Sequence, residues 1–197
     1  MTLATRLTLV RLLLGPVFVF TFIAGFDGSP TWLWVSLAVL VVSELTDAFD
    51  GHLARSRNEV TDFGKLFDPV ADSLSRQGAF LAFTFCGITP LWMFLVFMYR
   101  DSLMGLLRII CAARGVVLAA RPSGKFKAIL QAVAISGVVV MVLLHSRGIF
   151  VPPQTVAGFH PGFWLVAVAA LVTAVSLFDY VIPNWAKVRS LMQHAAQ

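Results

Sequence analysis

The sequence predicts an all-α integral membrane protein with six transmembrane helices. Three observations carry this. Of 197 residues, 58% are hydrophobic and only 13% charged, against about 25% charged in a soluble domain; the mean hydropathy is +0.85. Apolar runs of bilayer-crossing length, roughly 20 residues each, recur six times along the chain. Basic residues gather at every second junction between those runs, the pattern that marks the cytoplasmic side.

The elements follow in order. The first span covers Leu7 to Phe26; its basic start could open a signal peptide, but the apolar run is long enough to read as a span. Asp27-Gly28-Ser29-Pro30 is a turn. The second span runs from Thr31 to Leu53, and a polar stretch, Ala54 to Thr61, follows. The third runs from Asp62 to Cys86, and Gly87-Ile88-Thr89-Pro90 turns the chain into the fourth, Leu91 to Ala113. A basic segment, Arg114 to Lys127, carries Pro122-Ser123-Gly124. The fifth span is Ala128 to Leu144 and the sixth Pro161 to Ile182, stopped by Pro183. The length suits a single six-span domain, 1–197, with no internal repeat.

Arg6, Arg11, Arg55, Arg57, Arg114, Arg121, Lys125, Lys127, Lys187 and Arg189 all fall on one side of that arrangement, and only Arg147 on the other. Both termini are therefore expected in the cytoplasm. The net charge of +5 is accounted for in the same way, and no nucleic-acid partner is expected. Cys86 and Cys111 fall toward opposite faces, which argues against a disulfide.

Asp47 and Asp50 are three residues apart near the end of span two; Asp68 and Asp72 are four apart near the start of span three. On helices each pair shares a face. A carboxylate at the centre of a spanning helix costs about 2.5–3.5 kcal/mol, so four near one another call for cations. Antiparallel spans joined by a short link would bring both pairs to one depth near the cytoplasmic surface. Oxygen ligands of this kind suit hard cations, Mg²⁺, Mn²⁺ or Ca²⁺. Gly51 and Gly64 permit close approach of a ligand, and Arg55 can meet phosphate oxygens. A cation transporter using the carboxylates as an ion path is the rival reading. It leaves Gly51, Arg55 and Gly64 unexplained, and equally the confinement of the carboxylates to one end.

The pattern Asp-x2-Asp-Gly-x2-Ala-Arg-x8-Gly-x3-Asp-x3-Asp, filled by Asp47, Asp50, Gly51, Ala54, Arg55, Gly64, Asp68 and Asp72, resembles the signature of the CDP-alcohol phosphotransferases. The resemblance implies that Asp47, Asp50, Asp68 and Asp72 hold two Mg²⁺ or Mn²⁺ ions. Asp72 would also be the general base toward an acceptor alcohol that attacks the β-phosphorus of a CDP-linked lipid. Thr8, Asp50, Gly51, Ala54, Arg55 and Gly64 would line the nucleotide site. A homodimer in the inner membrane, with its active site facing the cytoplasm, is implied as well.

Two further stretches look like the phosphatidylglycerophosphate synthase branch. The first is LTLVRLLLGPVFV, where Thr8 and Arg11 match an Asn-x2-Thr-x2-Arg pattern and Thr5 replaces the Asn. The second is LLRIICAARGVVLAARPSGKFKAILQ. By that resemblance CDP-diacylglycerol is the donor and glycerol 3-phosphate the acceptor, with Arg100, Arg108, Arg114, Lys125 and Lys127 around the acceptor phosphate. A phosphorylated acceptor needs cations, although Arg114, Lys125 and Lys127 also fit ordinary cytoplasmic loop charge. Inositol phosphate, inositol or serine are the alternative acceptors. The chain departs from the branch at Ser73 (usually Lys), at Arg76 and Glu44 (usually apolar) and at Arg100-Asp101 (usually Arg-Glu). Glu44 and Arg76 are placed to pair across spans two and three.

Overall fold

A computed structural model of the chain describes residues 3–56, 62–113, 122–149 and 160–193. Those residues form six α-helices in chain order: α1 (Leu3–Phe26), α2 (Pro30–Ser56), α3 (Asp62–Phe85), α4 (Leu91–Ala113), α5 (Pro122–Ser146) and α6 (Pro161–Gln193). Local chemistry sets several of the ends. Ser29 Oγ accepts from the Thr31 amide, and Pro30 occupies the first helical position of α2, where its missing N–H costs nothing. Gly87 and Gly148 take φ of +70° and +67°, and the amides of Ile88 and Ile149 reach back to the Phe83 and Leu144 carbonyls at 2.9 and 3.2 Å. Only glycine adopts that backbone without strain.

Two ends differ from the expectation. α5 starts at Pro122, so Pro122-Ser123-Gly124 opens a helix and Lys125 and Lys127 are helical residues. Proline fixes the φ that a first turn needs. α6 continues through Pro183 to Gln193; a proline removes one backbone bond but need not end a helix in a membrane protein.

The helices alternate in direction. Gly25 of α1 lies against Leu33 of α2, so closely that an added Cβ would come within 2.7 Å of the Leu33 nitrogen. α1 packs on both α2 and α3, α4 on α3 and α6, and α5 on α2 and α6. The apolar core occupies one half of the bundle. Phe18, Phe22, Phe80, Phe83, Met93, Phe97, Val138, Val139 and Val166 are buried there, with Phe80 and Phe97 stacked at 3.9 Å. Large apolar residues such as Leu13, Phe20, Phe85, Leu171 and Phe178 face outward, as a lipid-facing surface requires.

Leu7–Phe26, Pro122–Ser146 and Pro161–Ile182 are long and apolar enough to cross a membrane. Pro30–Thr46 is a shorter apolar helix. α3 and α4 have comparable lengths but carry Asp68, Asp72 and Arg76, and Arg100, Asp101 and Arg108. Their charge is concentrated in the half of the bundle opposite the apolar core. The chain is a multi-pass membrane protein. Cys86 and Cys111 are free; Cys86 directly follows α3 and Cys111 is in the last turn of α4, so nearly the whole of α4 separates them, far more than the roughly 4.4–6.8 Å between bridged Cα atoms.

Candidate active site

The polar half of the bundle encloses a cavity of about 570 Å³ lined by α3, α4, α5 and α6. Asp68 and Asp72 reach it from α3, and Arg100 and Arg108 from α4. Lys125 and Lys127 reach it from α5. The structure thus brings together two of the four expected carboxylates and four of the five expected cations. Arg114 lies outside the described residues. Asp47, Asp50, Gly51, Ala54 and Arg55 fall on the last turns of α2 and Gly64 on the first turn of α3, where the backbone alone is described. Equal numbers of residues separate Leu33 from Asp47 and Gly25 from Arg11. The antiparallel register of α1 and α2 therefore carries Asp47 to the level of Arg11.

The described carboxylates are oriented by α1. Thr8 Oγ1 donates to Asp68 Oδ1 at 2.8 Å, and Arg11 donates through Nη1 to Asp72 Oδ1. Thr8 and Arg11 are buried, at 1% and 4% exposure. They sit three residues apart on α1, as Asp68 and Asp72 sit four apart on α3, so two matched helix faces meet.

A second centre was not foreseen. Asp101 Oδ1 accepts from Arg100 Nη1 at 3.0 Å and from Lys127 Nζ at 2.5 Å. Its Oδ2 accepts from Ser73 Oγ at 3.0 Å, and Ser73 Oγ accepts in turn from Gln77 Nε2 at 2.9 Å. Arg100 Nε donates to Ser176 Oγ at 3.2 Å. Ser73, one of the departures from the family pattern, is thereby a neutral donor to the buried acid that fixes two cations. In the sequence Asp101 stood out only as a departure from the family's Arg-Glu, and Gln77 and Ser176 not at all; the partners of Asp101 and Ser176, Lys127 and Arg100, are 26 and 76 residues away. The Asp101–Lys127 and Arg100–Ser176 contacts leave no local pattern. Gln77 sits one turn past Ser73, a helical spacing that could have flagged it.

Asp179 accepts from Ser123 Oγ at 2.6 Å, tying α6 to the start of α5. Glu44 and Arg76 line one small cleft of about 40 Å³ between α1, α2, α3 and α5. Among the described residues no group of three or more metal-ligating side chains is assembled.

A multi-pass helical membrane protein whose polar half encloses carboxylates and cations in one cavity is of the class that handles charged substrates at a membrane. The chain belongs to the CDP-alcohol phosphatidyltransferase family, whose model matches residues 1–175. It is similar to a Bacillus subtilis (strain 168) CDP-diacylglycerol--glycerol-3-phosphate 3-phosphatidyltransferase, with 31% identity over 192 residues, 93% of this chain and 95% of the relative. A probable phosphatidylglycerophosphate synthase of Mycobacterium tuberculosis (strain ATCC 25618 / H37Rv) is 32% identical over 179 residues, 91% of this chain and 79% of the relative. A CMP-forming cardiolipin synthase of Streptomyces coelicolor is 33% identical over 104 residues, about half of each chain (53% and 48%).

Proposed function

We propose that the chain transfers a phosphatidyl group from CDP-diacylglycerol to glycerol 3-phosphate, giving phosphatidylglycerophosphate and CMP. The observation that carries this reading is the cavity in which Asp68 and Asp72 share one enclosure with Arg100, Arg108, Lys125 and Lys127. A phosphorylated alcohol needs cations for its phosphate and a base for its hydroxyl, and both line the same space.

The donor set fits a hard divalent cation. Asp68 and Asp72 offer carboxylate oxygens one turn apart, Thr8 adds a hydroxyl beside Asp68, and Mg²⁺ and Mn²⁺ prefer such oxygens. Asp47, Asp50, Asp68 and Asp72 would hold one or two such ions, which would neutralise diphosphate charge.

The other steps belong to the chain's own residues. Asp72 takes the proton of the acceptor hydroxyl. That oxygen forms a bond to the β-phosphorus, and the bond from the β-phosphorus to the bridging oxygen breaks. CMP leaves with that oxygen and its electron pair. Arg11 holds Asp72 in one orientation, and Thr8 does the same for Asp68. Gly51, Ala54, Arg55 and Gly64, with Thr8 and Asp50, would border the cytidine diphosphate. Arg100, Arg108, Lys125 and Lys127, with Arg114, form the field that draws the acceptor phosphate.

The same reading puts the protein in the cytoplasmic membrane as a homodimer, with the cavity open to the cytoplasm. Labelled CDP-diacylglycerol, incubated with purified protein, should release CMP only when a divalent cation and an acceptor are both present. Glycerol 3-phosphate should outperform inositol phosphate, inositol and serine. No CMP release with any of them would sink the proposal, and preference for another alcohol would reassign the acceptor.

A further inference from the structure

α3 presents three ionisable side chains to the large cavity at one-turn intervals, Asp68, Asp72 and Arg76. The cations around that cavity are of two kinds. Arg100 and Lys127 both donate to Asp101. For Arg76, Arg108 and Lys125 no hydrogen bond or ion pair is found among the described residues, and Arg76 Nε is buried without a hydrogen-bond partner. Arg76 and Arg108 are only partly exposed, whereas Lys125 is exposed. A guanidinium inside a membrane helix is costly, and its usual role is to meet an anionic group. An unmatched buried donor adds to that cost.

We propose that Arg76 is a direct ligand of the acceptor's phosphate, acting with Arg108 and Lys125. The Asp101-bound pair, Arg100 and Lys127, shapes the pocket from behind. Arg76 lies one turn beyond Asp72, a Cβ separation of about 5–6 Å. Both side chains line the same cavity, so a small polyol monophosphate with its phosphate on Arg76 presents its hydroxyl end toward the Asp72 side of that cavity. The inference rests on the phosphorylated-acceptor reading above, and it assigns a role to a residue at which the chain departs from its family.

Two readouts on detergent-purified protein test it. The first is thermal protection by inorganic phosphate and by glycerol 3-phosphate, which needs no turnover. The second is the kinetics of CMP release. In Arg76→Gln, protection by both ligands should be lost. KM for glycerol 3-phosphate should rise roughly tenfold or more, the worth of a charge-assisted hydrogen bond. kcat and the KM for CDP-diacylglycerol should stay near wild type, as for a contact made equally in ground and transition states.

Arg76→Lys keeps the charge without the planar fork and should fall between. It carries the test alone if Arg76→Gln does not fold, and wild-type protection in it would then overturn the inference. Three other results would also overturn it. One is a wild type that phosphate does not protect. Another is retained protection in Arg76→Gln with lowered stability, which would make Arg76 a partner of Glu44 across the small cleft. The third is a rise in the CDP-diacylglycerol KM instead, which would place Arg76 on the donor's diphosphate. Protection lost in Arg76→Gln, in a protein that releases no CMP, would refute the proposed reaction and leave the phosphate contact standing.

Discussion

Asp101 is the residue on which two of the pocket's cations, Arg100 and Lys127, depend. Its carboxylate takes Arg100 and Lys127 on one oxygen and Ser73 on the other, and all but Ser73 are buried. Removing one partner of a buried, paired set leaves charge without compensation, at a cost of about 3–5 kcal/mol. Asp101→Ala should therefore lower the thermal unfolding midpoint in detergent sharply, whereas Asp101→Asn, which still accepts from the cations, should lose less. Equal losses would mean that the carboxylate's charge contributes little. Asp72 belongs to the chemistry and is expected to behave differently. Asp72→Asn keeps the shape and removes the basic oxygen, so CMP release should fall by about 10²–10⁴-fold while the protein folds and binds nucleotide. Near-normal turnover would remove Asp72 as the base.

At the scale of elements, α1 is the part that organises the site. It lies between α2 and α3, supplies Thr8 and Arg11 to the α3 carboxylates, and meets α2 through Gly25. A Cβ there would strike the Leu33 backbone nitrogen at 2.7 Å, and backbone cannot rotate away as a side-chain tip can. Gly137 faces only Leu165 Cδ1, at 2.9 Å. Gly25→Ala should thus cost about 1–3 kcal/mol by overpacking, with weakened catalysis as α1 shifts, and Gly137→Ala should be nearly neutral. Unfolding of the two variants measured side by side checks this, and equal stability would argue against the tight α1–α2 contact.

All six helices were legible as long, mostly apolar runs between turns and basic segments, a long-range average that single residues do not disturb, and three of them are long and apolar enough to cross a membrane. Their ends were less legible. Pro122-Ser123-Gly124 has the composition of a turn, yet proline is also a good first helical residue, and Pro183 did not stop α6. The motif Asp-x2-Asp through Asp72 was legible because one helix turn fixes its spacings. Asp101 was not, since its identity as a hub depends on α4, α5 and α3 coming together.

For the molecule as a whole, the decisive property is which side of the membrane the cavity faces. Toward the polar end, Thr8 bonds Asp68 between the early turns of α1 and α3, Ser73 and Lys127 bond Asp101 near the middle of α4, and Ser123 at the start of α5 bonds Asp179 of α6. The other end holds the Gly87 and Gly148 turns and Arg147, whose guanidinium lies 5.8 Å from the Trp34 ring centroid. Among the described residues, the Lys and Arg positions other than Arg147 lie toward the polar end, and that excess should hold it in the cytoplasm. A soluble, anionic acceptor would then reach the site without crossing the bilayer. In a background of Cys86→Ala and Cys111→Ala, Ser146→Cys should react with a membrane-impermeant thiol reagent added outside intact cells. Pro122→Cys, at the exposed start of α5 and beside the cavity, should react only after the membrane is opened. The opposite pattern would place the cavity outside, where a cytoplasmic phosphorylated acceptor cannot arrive. It would overturn the proposed orientation even if every residue in the pocket did what is assigned to it.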